Sequence, residues 1–549
     1  MSILSRIMPI LPMPALLALT VAGCDQRPRI PYEPVPAPAP AMGAGHDAEL
    51  PREVRGVWIT NVDSDVLLSK DRIAEMMEFL AETNINVVFP VVWNKALTMY
   101  PSDVMEETFG VRIDPLYEGR DPLAEIIAEA HRHGIEVMPW FEYGFAASHN
   151  LDGGPIIEAK PHWAAIDQDG NLVTKNGFEW MNAFDPEVQE FLTSLVLEVA
   201  ENYDVDGIQG DDRMPALPTL AGYDEATVER YREEFGTDPP ADIKDPEWVQ
   251  WRADILSDWL EDLYERVKEV DPNLIVSSSP SPYDWSLYEY LQDSYTWTNR
   301  GIVDIIHPQA YRYGVEPYQA LMDDIVDNQF TEEQLPMLSP GVLIKVGSYR
   351  IPTEELLAKI GYNREKGVPG EVFFFYEGLR EENDELARAL RRGPYAEPAL
   401  VNYRENMPWR PGALDIAVEA EAVPEGWEPL EGQQGFYSLA GGQDTPLSWQ
   451  FDVPRYGHYD VYAWLPEHAA ATEASYLLTN GHSRTAALVD QSDEFNRGWV
   501  HLGTQEFNPG NERNEVVLRP LERDVNRQTV AGPLMLLLNR RHSPNVVWN

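Results

Sequence analysis

The feature that most constrains this chain is an alternation. Short runs of apolar and β-branched residues recur eight times, at 54–60, 85–92, 135–140, 205–210, 274–279, 303–306, 336–342 and 371–376. Short apolar, branched runs alternating with longer helical segments are the pattern of parallel strands covered by helices. Segments of helical period lie between them, among them 71–82, 122–133, 186–202, 285–300 and 353–366, several opened by an Asp or Thr cap or by Pro in the first turn. Eight strand–helix repeats predict an α/β fold, a closed (β/α)8 TIM barrel over 51–395, because an open doubly wound sheet usually uses fewer strands. No glycine-rich phosphate loop follows the first strand. The stretch 213–273 is longer than one crossover requires and predicts a helical insertion near the substrate end.

After residue 391 the pattern changes to Gly, Pro and strict alternation, as in 447–453 and 458–465 around a turn at 454–457. Further strand signals at 474–479, 498–507, 514–518 and 533–538 predict an all-β sandwich, jelly-roll-like, over 410–542. At the other end, 7–22 is an apolar run after Arg6 that is short and proline-rich for a spanning helix. It ends in Leu19-Thr20-Val21-Ala22-Gly23-Cys24, which resembles a bacterial lipobox, so 1–24 is expected to be a lipoprotein-type signal with Cys24 lipidated. Residues 25–50, Pro and Ala rich in 31–46, are expected to be a semi-rigid tether. The expected location is therefore the bacterial cell envelope, with membrane attachment through the lipid only.

The chain has 549 residues, with 91 acidic and 42 basic side chains and a formal net charge of -49. That length calls for more than one domain. That field repels phosphate backbones, so nucleic acid is not expected as a partner. Cys24 is the single cysteine, so no internal disulfide is expected. His131 and His133 would sit on different helix faces, and no HExxH or EF-hand pattern occurs, so neither metal nor cofactor is expected.

Reactive groups of such a barrel stand at the C-terminal ends of its strands. Here those ends carry Asn61 and Asp63, Trp93 and Asn94, Trp140, Glu142 and Tyr143, then Asp211, Asp212 and Arg213. The later ends carry Tyr283-Asp284-Trp285, then Gln309, Tyr311 and Arg312, and finally Glu377. Aromatic rings beside amides and carboxylates suit a sugar, whose apolar face stacks while its hydroxyls need fixed donors and acceptors. Cleaving a glycosidic bond needs two carboxyl groups. Glu377 and Glu142 compete for the acid, and either could instead hold a sugar hydroxyl. Asp63 reads more readily as a cap or turn acid before Ser64 than as a catalytic group. Asn61, Asp63, Trp93, Asn94, Trp140, Tyr143, Asn182, Arg213, Gln309, Tyr311 and Arg312 are the expected substrate-binding set, the aromatics having upper-core packing as their alternative.

Five ordered motifs carry a resemblance. They are Arg55-Gly-Val-Trp58-Ile-Thr-Asn-Val-Asp63, Trp180-Met-Asn182-Ala-Phe-Asp-Pro186, Tyr203-Asp-Val-Asp206-Gly-Ile-Gln-Gly-Asp211-Asp212-Arg213, Pro308-Gln309-Ala-Tyr311-Arg312 and Phe373-Phe-Phe-Tyr-Glu377. Together they resemble the glycosyl hydrolase-like 10 family of bacterial cell-surface TIM-barrel hydrolases, some of which act on peptidoglycan glycan strands. The tail, with Gly457-His-Tyr-Asp-Val-Tyr-Ala-Trp464 and Trp499-Val-His-Leu-Gly-Thr504, is similar to the golvesin or xanthan-lyase carbohydrate-binding type. The glycine-to-acid spacing of Gly207-Ile-Gln-Gly-Asp211 resembles the nucleophile strand of retaining α-glycosidase-like barrels, which makes Asp211 the nucleophile candidate and Asp212 the reserve. The alternative for Asp211 is a structural acid paired with Arg213. The resemblance implies a polysaccharide hydrolase of retaining mechanism, with a non-catalytic polysaccharide-binding or envelope scaffold as the competing reading. A carbohydrate esterase is disfavoured, since the sequence has no metal triad and no Gly-x-Ser-x-Gly elbow.

Overall fold

The computed structural model describes residues 50–405, 409–466, 471 and 473–543. The apolar leader, Cys24 and the Pro/Ala-rich tether lie outside the described residues.

Eight parallel strand positions follow the alternation, with one displacement: the seventh, expected over 336–342, opens instead as a 3-10 turn at Leu335–Met337, where Pro336 breaks the run, and pairs as a strand only at Gly341–Leu343. They are Val54–Ile59, Val87–Pro90, Glu136–Val137 continued by Trp140–Phe141, Gly207–Gly210, Ile275–Ser278, Ile305–Ile306, Gly341–Leu343 and Gly370–Phe374. One sheet pairs the seventh, eighth, first and second strands with the opening half of the third. The other pairs the sixth, fifth and fourth with the closing half of the third, so the third strand belongs to both. Isolated parallel bridges add Val91 to Trp140 at that seam, and Ile306 to Leu338 and Gln309 to Gly341 at the opposite one.

Trp58 fills the space between the sheets. Its ring lies 5.9 Å from Phe89, 6.3 Å from Trp140 and 6.1 Å from Phe374, and its Nε1 donates to Gln209 Oε1 at 2.6 Å. Gly56, two residues earlier on the same face, makes the room, because a Cβ there would stand 2.9 Å from both Phe89 and Val372. Outside, Asp121, Asp185 and Asp245 each cap a helix that opens with Pro, at Pro122–Arg132, Pro186–Asn202 and Pro246–Val270. In each, the carboxylate accepts an N–H that the helix cannot satisfy, and Pro occupies a position with no N–H to lose. The insertion is helical, comprising Glu225–Phe235 and Pro246–Val270.

Two further expectations need correction. The segment 285–300 is two helices, Trp285–Tyr290 and Ser294–Arg300, broken at Leu291 with φ 56°. The break frees Gln292 to fold inward, where it accepts from Ser281 N–H and donates to Asp211 O and Pro215 O. The fifth strand ends at Ser278, well before Tyr283-Asp284-Trp285.

The C-terminal region is all antiparallel. Leu414–Ile416, Leu534–Leu538, Gly457–Leu465 and Gly498–Phe507 form one sheet, and Leu447–Gln450, Glu515–Pro520, Ala474–Thr479 and Arg484–Val489 another, with a third of three short strands. Their inward residues, among them Trp449, Tyr459, Leu478, Phe507 and Leu536, make a core separate from that of the α/β region.

The two regions meet at the N-terminal ends of the third and fourth parallel strands. Ala128 of the helix Pro122–Arg132 packs with Ala413, Trp499, Met535 and Leu537, and the Arg132 guanidinium lies 5.4 Å from the Trp499 ring. Beside this apolar patch, three arginines enter a nest of carboxylates from the α/β region. Arg540 donates to Glu136 at 2.6 Å and to Asp206 at 2.9 Å, Arg410 donates to Asp206 at 2.5 Å and pairs with Asp204, and Arg404 donates to Glu136 at 2.9 Å. His131 lies 3.1 Å from Asp206. Burial opposes the charge on Asp206, yet Arg410, His131 and Arg540 hold its carboxyl well below the usual range. Trp464 and Trp499, prominent in the resemblance to a carbohydrate-binding domain, pack edge to face at 5.1 Å within this interface.

Candidate functional site

The C-terminal ends of the third and fourth strands bring three carboxylates around one guanidinium. Arg213 Nη2 lies 2.9 Å from Asp211 Oδ2 and 3.5 Å from Glu142 Oε1, Nη1 lies 2.9 Å from Asp212 Oδ1, and Nε donates to Glu142 O at 2.9 Å. The two loops touch at Gly144, with φ 47°, where a Cβ would stand 2.1 Å from Arg213 O. Behind Arg213, the Phe178 ring stacks at 4.7 Å.

Asp211 is the most fully supported of the three, with 2% of its side chain exposed. Besides Arg213 it accepts from Ser279 Oγ and Gln309 Nε2, each at 3.1 Å. Asp212 keeps 25% exposure and Glu142 17%, so both open on the solvent side. Asn94 Nδ2 donates to Glu142 Oε2 at 2.5 Å and to Asn61 Oδ1 at 2.8 Å. Asn94 is aimed by a hairpin of Trp93–Asn94 with Leu97–Thr98, whose turn residues Lys95 and Ala96 hold φ of 52° and 62°.

Three carboxylates and one guanidinium in a desolvated corner cannot all stay ionised cheaply. Burial, then Asp212 and Glu142, push Asp211 upward against Arg213. Burial and Asp212 raise Glu142 to about 7 against Arg213 and Lys95. Asp211 accepts three N–H and O–H groups across both oxygens, which favours its charged form and opposes the upward push of burial and Asp212. Glu142 has fewer donors, and burial leaves it protonated below about 7.

A stability consequence follows. A carboxyl raised from 4.5 to about 7 lends its full stabilisation below the lower value and loses it as pH rises through the upper one. Glu142→Gln is therefore expected to match the native protein in unfolding free energy near pH 4 and to exceed it at pH 8 by about 3 kcal/mol, read from denaturant midpoints. Equal midpoints at pH 8 would contradict the raised value.

The other expected residues divide. Gln309 is at the cluster, and Tyr311 feels it, its hydroxyl raised by burial and then by Asp211, Asp212 and Glu142. Asn61 joins through Asn94. Trp93, Trp140 and Tyr143 are 0%, 2% and 5% exposed and hold the loops from beneath; Trp93 Nε1 donates to Gly144 O at 3.1 Å. Asn182 Oδ1 accepts from Phe184 N–H in a turn before the helix Pro186–Asn202. Asp63 occupies a left-handed turn position, φ 56°. Glu377 is held apart from the cluster by Ser64, whose Oγ donates to its Oε1 at 2.7 Å, and burial raises its carboxyl. Arg312 donates only to Tyr311 O, at 2.9 Å.

Ser279 and Gln292 were not anticipated. Ser279 closes the run Ser277-Ser278-Ser279 at the end of a buried strand, and hydroxyls in that place are the sequence signal that could have marked it.

The profile of the family described as Glycosyl hydrolase-like 10 matches residues 53–359, and that of the Golvesin C-terminal domain matches 430–532. The chain is 25% identical over 409 residues to glycosyl hydrolase YngK of Bacillus subtilis, covering 66% of this chain and 75% of that one. It is 24% identical over 344 residues to glycosyl hydrolase DigH of Escherichia coli, covering 54% and 73%. Among solved structures, it is similar to the PgaB (BpsB) glycoside hydrolase domain from Bordetella bronchiseptica, at 15% identity and TM-score 0.48, covering 62% of this chain and 98% of that one.

Proposed function

The chain belongs to the glycosyl hydrolase-like 10 family, and on that premise we propose that it is a retaining glycoside hydrolase of a polysaccharide, its two parallel sheets closing as one (β/α)8 barrel. The observation that carries the reading is the three-carboxylate cluster on Arg213, with Glu142 raised to about 7. In this reading protonated Glu142 gives its proton to the leaving oxygen while Asp211 attacks the anomeric carbon, and the glycosidic bond breaks as the Asp211 ester forms. Glu142, now ionised, takes a proton from the water that cleaves the ester. Asp212 keeps Glu142 protonated beforehand by its negative charge, and Arg213 holds all three in place. Because Asp211 Oδ2 and Glu142 Oε1 share one nitrogen at 2.9 and 3.5 Å, they stand closer together than the roughly 6.5 Å at which inverting spacings begin. Peptidoglycan glycan strands and exopolysaccharides are the proposed substrates, and anchoring at the cell envelope through Cys24 is the proposed location.

The test is mass-spectrometric analysis of products from peptidoglycan, with and without stem peptides, and from a panel of bacterial exopolysaccharides. Oligosaccharides with the substrate's own anomeric configuration support the reading, and inverted products overturn the mechanism. Binding without cleavage moves the protein to the scaffold class. Activity of the hydrolase is expected to fall as pH rises through about 7, because the acid loses its proton. Glu142→Gln is expected to lower kcat/KM by about 10² to 10⁴ and to abolish that alkaline limb. Persistence of the limb in this variant assigns the acid elsewhere, Glu377 first.

A further inference from the structure

The ring of Tyr311 is fixed and its hydroxyl is not. The ring lies 5.3 Å from Phe374 and against Gly341, where a Cβ would stand 3.0 Å from Trp58 and 3.3 Å from Tyr311. The missing side chain at Gly341 thus seats Tyr311 beside the tryptophan that fills the space between the sheets. Gln209 holds that tryptophan, and Asp211 comes two residues later, on the same side of its strand and one layer nearer the strand ends. Gln309, two residues before Tyr311, completes the link by donating to Asp211 Oδ1 at 3.1 Å. Packing therefore brings the Tyr311 ring and the Asp211 carboxyl into one upper layer.

The electrostatics agree with the packing. Burial, then Asp211, Asp212 and Glu142, raise the Tyr311 hydroxyl well above its ordinary value, against Arg213. Elsewhere Tyr203 donates to Asp121 at 2.8 Å, Tyr395 to Glu371 at 2.6 Å and Tyr403 to Glu136 at 2.9 Å. Tyr311 has three acids near it and, among the described residues, bonds to none; it is half-buried, and its oxygen is not among the enclosed polar atoms. A phenol held neutral trades no proton near pH 7, but its dipole still responds to the field around it. Anions draw the O–H toward themselves and leave the oxygen lone pairs facing the solvent side.

We propose that Tyr311 is a catalytic residue whose hydroxyl oxygen touches the sugar at the bond that breaks and stabilises the positive charge of its oxocarbenium-like transition state. A neutral ground-state sugar gains little from that oxygen, so the contact acts on turnover more than on substrate binding. The ligands this corner favours are iminosugars, whose ring nitrogen carries the same charge permanently. The inference rests on the hydrolase reading for the step it serves, but binding tests it without cleavage.

The experiment is a ligand-detected NMR titration of full-length wild type and Tyr311→Phe at pH 6. The probes are isofagomine and its galacto and 2-acetamido counterparts, each beside the neutral 1,5-anhydrohexitol of the same configuration. Phenylalanine keeps the ring contacts with Phe374 and Gly341, so only the hydroxyl is removed. The expected result is that at least one iminosugar binds wild type about 10²-fold tighter than its neutral partner, and that Tyr311→Phe loses about tenfold on the iminosugar and less than about threefold on the neutral sugar. On any polymer that wild type cleaves, Tyr311→Phe should lower kcat by about 10²-fold, leave KM within a few-fold and keep the alkaline limb set by Glu142. Absence of an iminosugar preference in wild type, a full preference in Tyr311→Phe, or equal losses on cationic and neutral sugars overturns the proposal. Unchanged kcat in the variant overturns it too. Failure of the hydrolase reading shows separately, as absence of products from wild type while the iminosugar preference and its dependence on Tyr311 persist.

Discussion

Asp211→Asn is expected to lower turnover by about 10⁴-fold or more while polymer binding stays within a few-fold of native. The asymmetry has a structural basis. Asp211 is 2% exposed and contributes little contact surface, but as the attacking carboxylate it would supply the covalent intermediate. An asparagine keeps the volume and can still accept from Ser279 and Gln309, but it cannot form the ester. Its amide would meet Arg213 donor to donor, and Asp212 and Glu142 remain to hold that guanidinium, so the fold should survive. Asp211→Ala with added azide sharpens the test. Azide entering the vacated space would displace the leaving group directly, giving a glycosyl azide of inverted configuration. Unchanged turnover in Asp211→Asn would move the nucleophile to Asp212, and inactivity without an azide product would favour a structural role beside Arg213.

The second large effect lies at the opposite end. Arg410→Met combined with Arg540→Met is expected to cost about 4 kcal/mol or more, because Asp204, Asp206 and Glu136 would stay buried with most of their counter-charge gone. The pH dependence gives the signature. In the native protein Asp206 is depressed, so its contribution is present above the ordinary carboxylate range and lost as acid protonates it. Without the arginines, burial dominates and raises Asp206, so the variant should become relatively more stable as pH falls toward 5. Urea midpoints at pH 5 and 8 decide it. A cost below about 1 kcal/mol at both would mean that the two regions fold independently of this nest.

Much of this architecture is written locally. The eight strands were legible because apolar β-branched runs and Asp-Pro caps act within a few residues, and Asp211, Arg213, Glu142 and Gln309 were found because strand ends are where a barrel exposes side chains. What escaped was long-range. Glu136 and Arg540 are separated by 404 residues, and nothing near either names the other. Leu291 is a poor left-handed residue by itself, and its conformation makes sense only with the Gln292 bonds to Asp211 O and Pro215 O. The seam role of Trp464 and Trp499 was hidden for a related reason, since an aromatic pair on a sandwich strand reads alike whatever it packs against. Glu377 had the right address, but the Ser64 hydroxyl that holds it comes from a loop more than 300 residues earlier.

The junction also settles how force would pass through the molecule. Arg52 bridges to Leu400 and Glu53 N–H bonds to Leu400 O, so the chain enters the α/β region at the same end as the arginine nest. Tension applied through whatever precedes residue 50 would be borne by the base of the first strand and the domain seam. The loops carrying Glu142, Asp211 and Arg312 lie at the far end, outside that line of pull, and would keep their spacing under load.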